Sequence, residues 1–235
     1  MAIRALLKRK ESEELWKQAA EHPFVHQLTK GTLSHDKFED YIMQDKICCG
    51  GFRSFICNIL ADCPDPDDFE SLNKLVAQLQ GYGHEANLFK EMFDLMNISQ
   101  PDMAAHPSTE AFVQFLWKVG VSGTLADKLI VLHAVVASYM EWAELAKAES
   151  RIPSDKAYAK WLEIHTAASI GQVVEWIKNR LDSIVGKNGE SLTEHHHSLF
   201  QRALQHEILF WDASFKLGSS AFPGESRHAS PQVRR

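Results

Sequence analysis

Several features that would place a chain in a common functional class are missing from this sequence. Its 235 residues carry a net charge of −6 with acidic and basic residues interleaved, so no basic patch indicates a nucleic-acid partner. No apolar run approaches the roughly 20 residues of a membrane helix. The first ten residues lack both the apolar region and the cleavage site of a signal peptide. We therefore expect a cytoplasmic protein with no nucleic-acid or membrane partner.

Cysteine is also scarce, and its distribution excludes two further classes. The chain has four cysteines, all on one predicted helix, at positions 48, 49, 57 and 63. Their spacing suits neither a disulfide framework nor the usual zinc motifs. We interpret them as reduced thiols.

No stretch shows convincing strand alternation, whereas apolar residues recur every three or four positions along most of the chain. The sequence predicts an all-α, multi-helix bundle of seven or eight helices in a single domain, residues 1–217. Helices are predicted near 11–21, 34–62, 68–95, 108–120, 124–149, 154–162, 169–186 and 192–216. Residues 218–235, rich in Ser, Pro, Gly and Arg, are predicted to be a disordered tail.

The second predicted helix places a carboxylate inside an apolar stripe. Asp45 stands in the middle of residues that recur at spacings of three and four, namely Phe38, Tyr41, Ile42, Cys48, Cys49, Phe52 and Phe55. A carboxylate among aromatic side chains is costly to bury unless something pairs with it. Asp45 therefore has either a structural partner or a ligand.

The last predicted helix repeats this pattern. Glu207 interrupts its apolar stripe, with Phe210 and Trp211 one turn later. Two buried acids facing one cavity would bind a cationic or hydrogen-bond-donating ligand, or would supply acid–base groups with shifted pKa values. The alternative is that each acid pairs with a buried Arg, Tyr or His.

Both acids stand in segments that resemble the TenA (thiaminase II) family. At the N-terminal end the matching residues are His22-Pro23-Phe24, Gly31-Thr32-Leu33, Phe38, Tyr41 and Gln44-Asp45. At the C-terminal end they lie in HEILFWDASF, residues 206–215, and between the two ends Tyr139, Tyr158 and Trp161 fit in order. The resemblance covers about residues 10–216 and is specific at its two ends.

This resemblance implies a haem-oxygenase-like fold, usually without haem, and we expect no cofactor. Family members hydrolyse thiamin or aminomethylpyrimidine to hydroxymethylpyrimidine by attack of a cysteine thiol, while an aspartate and a glutamate hold the pyrimidine edge and move protons. Asp45 and Glu207 occupy those acid positions and become the catalytic candidates. Tyr139 and Phe210 become candidates for binding a pyrimidine-like substrate. Relatives often form tetramers, so we expect a homo-oligomer, either a tetramer or a dimer.

Four pocket positions depart from the family pattern. Val135 stands where the nucleophilic cysteine is expected, and a valine cannot be a nucleophile. Cys48, Phe112 and His165 stand where tyrosines are expected. All four remain candidate substrate-binding residues, in a pocket that keeps its acids but loses its usual thiol and several hydroxyl groups.

Two other chemistries are less well supported. Cys48 lies one turn from Asp45, and a neighbouring carboxylate raises a thiol pKa, which argues against Cys48 as the nucleophile. A di-iron site would need His and Glu residues converging on one cavity, but the pairs His84-Glu85 and His206-Glu207 are adjacent and point about 100° apart. We therefore predict no metal site. His133 is a further histidine considered as a ligand for such a site. The three histidines at 195–197 are expected to be solvated.

Three functional hypotheses remain open. The chain is an enzyme nearest to aminopyrimidine hydrolysis in thiamin salvage, with Glu207 activating water in place of the missing thiol. Alternatively, it is a TenA-fold enzyme recruited to another pathway, such as secondary metabolism. In the third hypothesis it is a non-catalytic small-molecule-binding protein that has kept the cavity without the chemistry.

Overall fold

The structure, a computed structural model, describes residues 2–63, 70, 72, 85–99, 103–187 and 192–217. Within these ranges it contains ten helices and no strand, which confirms the all-α prediction. The helices are α1 (Ala2–Leu7), α2 (Lys10–Ala20), α3 (Pro23–Thr29), α4 (His35–Asp62), α5 (Glu85–Met96), α6 (Pro107–Ser122), α7 (Leu125–Ala148), α8 (Lys156–Ile164), α9 (Ala167–Lys187) and α10 (Glu194–Phe215). The predicted tail, residues 218–235, lies outside the described residues. So does most of the first part of the helix predicted near 68–95, up to residue 84.

Helix α4 carries Asp45 and begins after a tight turn. Gly31 in that turn has φ +69°, a conformation that side chains other than glycine adopt with difficulty. The predicted apolar stripe of α4 is buried, with Phe38, Tyr41 and Phe55 each 0% exposed. The period of the sequence therefore places the side of α4 that carries Asp45 against the rest of the bundle.

Helices α4 and α6 cross at close range because each presents a glycine to the other. A Cβ added at Gly51 of α4 would lie 2.7 Å from Cγ1 of Val113, and one added at Gly120 of α6 would lie 3.2 Å from Phe55. Gly50, by contrast, has nothing within 4 Å. Of these two consecutive glycines, Gly51 therefore makes the close approach to α6. It brings Phe112 of α6 to the same side of the bundle as Asp45.

Helix α7 is the centre of the bundle and contacts α2, α3, α4, α6, α9 and α10. Residues around its whole circumference are buried. By length and composition α7 could cross a membrane, contrary to our expectation, since an 18-residue window has mean hydropathy 1.4. However, 72% of that window is buried by the surrounding helices, as in the core helix of a globular protein.

The start of α10 packs on the start of α7 through a carboxylate. Asp127 forms a capping box with Thr124 at the start of α7. Its Oδ1 also lies 3.1 Å from Nε2 of His195 and 3.5 Å from Nε2 of His196. His197 is 7% exposed, so the prediction of three solvated histidines is wrong for His197 and for the largely buried His196. This contact sets the position of the helix that carries Glu207.

Candidate functional site

A cavity of about 430 Å³ lies between α4, α5, α6, α7, α8, α9 and α10. Its size is within the range of roughly 300–1,000 Å³ that is usual for small-molecule sites. The structure brings all eight predicted site residues to its wall, namely Asp45, Cys48, Phe112, Val135, Tyr139, His165, Glu207 and Phe210. The two acids from opposite ends of the sequence therefore face one cavity.

Glu207 is the most deeply buried of the cavity's polar side chains, with 1% of its surface exposed. Among the described residues, neither of its carboxylate oxygens has a hydrogen-bond partner of normal geometry. Burial, and then the charge of Asp45, raise the pKa of Glu207 well above its usual range, while the nearby Tyr139 hydroxyl partly opposes that rise. The raised pKa favours the protonated form of this carboxyl group, which can donate its proton to a bound ligand.

Asp45 is partly exposed to the cavity, and no arginine, lysine or histidine of the described part pairs with it. The Cys49 thiol donates to its Oδ2 at 3.7 Å, a long and weak interaction. Burial raises the pKa of Asp45 from 3.8 to about 7, and the Cys49 contact only partly offsets this. The structural partner that would have explained Asp45 without a ligand is therefore not among the described residues.

Tyr139 connects the acid end of the cavity to the aromatic core. Its hydroxyl lies 3.1 Å from the hydroxyl of Tyr41, and the Tyr41 ring stacks on Trp211 at 4.8 Å. Burial is the first cause that raises the pKa of both tyrosines well above 10, so both stay protonated. The sequence predicted Tyr41 in the apolar stripe of α4, but no local pattern indicated that its hydroxyl contacts that of Tyr139.

Gln44, next to Asp45 in sequence, fixes the wall opposite α4. Its Oε1 accepts hydrogen bonds from the backbone N–H of His106 at 2.8 Å and from the Thr109 hydroxyl at 2.7 Å. Its Nε2 donates to the carbonyl oxygen of Ala104 at 3.0 Å. These three bonds attach the start of α6 to α4 and so hold Phe112 at the cavity wall.

The positions of Val135 and Cys48 bear on the missing nucleophile. Val135 is 8% exposed and lines the cavity, so a thiol at that position would face a bound ligand. Cys48 lines the cavity too, but burial and then the charges of Asp45 and Glu207 raise the pKa of its thiol well above the usual value. Cys48 is therefore a protonated, weakly nucleophilic wall residue.

His165 follows the last residue of α8 and lies among aromatic rings. Its ring centroid is 4.8 Å from that of Tyr139 and 4.9 Å from that of Trp161. Its Nδ1 lies 2.7 Å from the carbonyl oxygen of Trp161. Burial lowers the pKa of His165 to about 4, so the imidazole is neutral near pH 7.

The other residues that line the cavity were not predicted as site residues from the sequence. Some lie three or four positions before or after a predicted site residue and could have been found that way, namely Phe52, Leu116, Val136 and Trp161. Others, including Leu88 and Phe89 of α5 and Ile170 of α9, depend on how distant helices pack, which no local pattern shows. Charged residues also line the wall, where Lys160 of α8 lies 3.6 Å from Glu91 of α5.

The described residues contain no group of three or more His, Cys, Asp or Glu side chains placed to hold a metal ion. His206 does not line the cavity and instead stacks on Phe112 and Phe115, with centroids 5.4 and 4.7 Å apart. His133 stacks on Trp16. The His84-Glu85 pair lies outside the part of the chain whose side chains are described.

Taken together, the fold and the site define an all-α bundle whose cavity is walled by aromatic residues. It also carries two acids with no oppositely charged partner in the described part of the chain. The model of the TENA/THI-4/PQQC family matches residues 9–216, so the chain belongs to that family. This confirms the resemblance read from the two ends of the sequence.

Two curated relatives with a named activity match along most of their length at low identity. The aminopyrimidine aminohydrolase of Helicobacter pylori is 23% identical over 87% of this chain and 95% of its own. The aminopyrimidine aminohydrolase of Bacillus subtilis is 25% identical over 88% of this chain and 88% of its own.

Solved structures of TenA homologues have the same fold. The homologue from Pyrococcus furiosus is 20% identical, covers 91% of this chain and 100% of its own, and superposes with a TM-score of 0.79. The homologue from P. horikoshii is 24% identical, covers 92% and 99% respectively, and has a TM-score of 0.78. These matches confirm the haem-oxygenase-like bundle expected from the TenA resemblance.

Proposed function

We propose that the chain is a hydrolase of small amino-substituted pyrimidines, acting in thiamin salvage. Membership of the TENA/THI-4/PQQC family and two relatives named aminopyrimidine aminohydrolase support this proposal. The observation that carries it is the cavity that both Asp45 and Glu207 line, neither with a protein partner of opposite charge among the described residues. Unpaired buried acids with raised pKa values are characteristic of acid–base sites.

Asp45 holds the amino-pyrimidine edge in this proposal. Its carboxylate offers two acceptor oxygens, which match an exocyclic amino group and a protonated ring nitrogen side by side. Tyr139 orients the ring, and Phe112 and Phe210 form its apolar walls.

Glu207 moves the protons of the reaction. Glu207 is protonated at first and donates its proton to the nitrogen of the aminomethyl side group. The bond between that nitrogen and its methylene carbon breaks, and the bonding pair leaves with ammonia. The resulting carboxylate then accepts a proton from a water molecule, whose oxygen forms the new bond to carbon. The sum is amine plus water giving alcohol plus ammonia, and Glu207 ends in its starting state.

Val135 makes this direct use of water necessary, because no thiol stands at that position. It also gives a test of the two competing hypotheses. If Asp45 and Glu207 hold a pyrimidine productively, Val135→Cys places a thiol at the cavity wall and is expected to raise turnover at least tenfold. A binding protein of unrelated ligand class would gain no turnover from the same substitution.

The experiment that tests the proposal is turnover of aminomethylpyrimidine, followed by ammonia release and by chromatography of hydroxymethylpyrimidine. Wild-type protein is expected to form product, and Glu207→Gln to lower kcat by about 10²–10⁴-fold, the usual contribution of a general acid–base group. Glu163→Gln, on the exposed side of α8, serves as the matched control and is expected to leave kcat unchanged. Absence of product from wild-type protein would overturn the proposal.

Several expectations accompany this function and stay predictions. These are a cytoplasmic location, a homo-oligomer, and the absence of nucleic-acid and membrane partners. Size-exclusion chromatography with light scattering would measure the oligomeric state directly.

A further inference from the structure

The ring of His165 is held in one orientation. The Trp142 ring packs against a third side of it, with ring centroids 5.5 Å apart, in addition to the rings of Tyr139 and Trp161. The Nδ1 atom is tied to the backbone carbonyl of Trp161, one turn earlier in the chain. Such packing leaves the imidazole ring little freedom to flip by 180°.

The Trp161 carbonyl also fixes which nitrogen of His165 carries the proton. A carbonyl oxygen only accepts hydrogen bonds, so Nδ1 must be protonated and must donate. Because the neutral ring holds one such proton, Nε2 has a lone pair and no hydrogen. No described residue forms a hydrogen bond with Nε2, and the ring lines the cavity.

This makes His165 different from the other polar groups of the cavity. Asp45 and Glu207 have raised pKa values and can each donate or accept, according to their protonation. The Tyr139 hydroxyl can also do either. Nε2 of His165 can only accept a hydrogen bond. A ligand that places an acceptor against Nε2 therefore leaves both acceptors without a donor inside the cavity, which lowers its binding affinity.

We propose that His165 determines the specificity of the cavity by requiring the ligand to present an N–H or O–H donor to Nε2. This rests on the proposed function, in which Asp45 takes the amino-pyrimidine edge, and it adds that the side group of the pyrimidine meets His165, which lines the same cavity. The tyrosine that the family resemblance leads one to expect at this position would tolerate a donor or an acceptor. His165 therefore narrows the ligand class to pyrimidines whose side group is an amine or an alcohol, and disfavours ethers and tertiary amines.

The test compares two neutral probes, hydroxymethylpyrimidine and its methyl ether, which differ in the donor of the side group. Binding is measured by calorimetry for wild-type protein, His165→Phe and His165→Tyr. Wild-type protein is expected to prefer the alcohol by about ten- to a hundredfold, the usual penalty for an unsatisfied buried acceptor. In both His165 variants the preference is expected to fall at least fivefold.

His206→Phe is the matched control, because it makes the same change at a histidine that stacks on Phe112 without lining the cavity. Its preference for the alcohol is expected to equal that of wild-type protein. Nitrogen NMR of the wild-type protein gives an independent readout, in which Nδ1 carries the proton and the Nε2 resonance shifts when the alcohol binds.

The outcomes separate this proposal from the proposed function. If both probes bind and the preference is the same in wild-type protein and both His165 variants, the role of His165 is overturned and the proposed function stands. A proton found on Nε2 of the free protein would also overturn it. If neither probe binds to wild-type protein, the proposed function and the role of His165 both fall.

Discussion

Gln44 and Asp45 are neighbours on α4, and their polar groups have opposite surroundings. Gln44 is 1% exposed, and its amide makes three hydrogen bonds to the segment that begins α6. Asp45 faces the cavity and receives one long contact, 3.7 Å from the Cys49 thiol. The protein supplies the partners of the first side chain and leaves those of the second to a ligand.

The difference shows how to separate structural from functional polar groups in this bundle. A buried polar group with all its partners in the protein contributes to stability, and removing it leaves those partners unsatisfied. A carboxyl group that is buried without a partner lowers stability, and it persists where function requires it. By this criterion Glu207 belongs with Asp45, although the two lie on helices from opposite ends of the sequence.

Among variants on α4, Asp45→Asn is expected to have the largest effect, lowering activity and raising stability. Turnover of aminomethylpyrimidine is expected to fall about a hundredfold, because the amide offers one acceptor oxygen in place of two and carries no charge. The pKa of Asp45 is raised from 3.8 to about 7 in the folded protein, so the folded state binds this proton more tightly than the unfolded state. Wild-type stability therefore falls as pH rises from about 4 to 7, and stays lower above 7.

Since asparagine does not titrate, the Asp45→Asn protein does not lose this part of its unfolding free energy as pH rises. Relative to wild-type protein it is expected to be more stable at pH 8, on the order of 4 kcal/mol, and nearly equal at pH 4. Urea denaturation of both proteins at pH 4, 6 and 8 measures the difference. A difference that stays constant with pH would contradict the raised pKa and, with it, the contrast between Asp45 and Gln44.

Gln44→Leu is expected to act on stability, with a loss of about 2–4 kcal/mol at every pH. The substitution leaves the Thr109 hydroxyl, the His106 N–H and the Ala104 carbonyl without their partner, at about 1–3 kcal/mol for each one that water does not reach. Gln18→Leu, at an exposed position of α2, is the matched control and should stay within about 0.5 kcal/mol. A Gln44→Leu protein as stable as the control would show that α6 does not depend on this junction.

Alanine at Gly51 and at Gly50 is expected to give the smallest effects, of opposite sign. At Gly51 the new methyl group meets Val113, and overpacking of about 1–3 kcal/mol exceeds the gain in helix propensity of about 1 kcal/mol. At Gly50 the methyl group meets nothing within 4 Å, so the propensity gain of up to about 1 kcal/mol remains. Thermal melting of the two variants measures this. Equal shifts would mean that the α4–α6 distance is not set by Gly51.

Much of the fold follows from the period of the sequence, because a helix forms from local hydrogen bonds and buries a stripe that repeats every three to four residues. The same period marked Asp45 and Glu207, since an acid inside an apolar stripe is conspicuous without any knowledge of its neighbours. The family resemblance added the expected positions of Val135, Cys48, Phe112 and His165. All of these lie at the cavity wall.

Only the tertiary structure showed which residues contact these side chains. It showed that Asp45 lacks a partner where Gln44 has three, that Tyr139 meets the hydroxyl of Tyr41, and that the Trp161 carbonyl sets the tautomer of His165. It also buried α7 on every side and placed His197 in the interior. The physical reason is range: a helical period depends on residues a few positions apart, whereas hydrogen bonds, desolvation and pKa shifts depend on contacts between helices that the sequence separates widely.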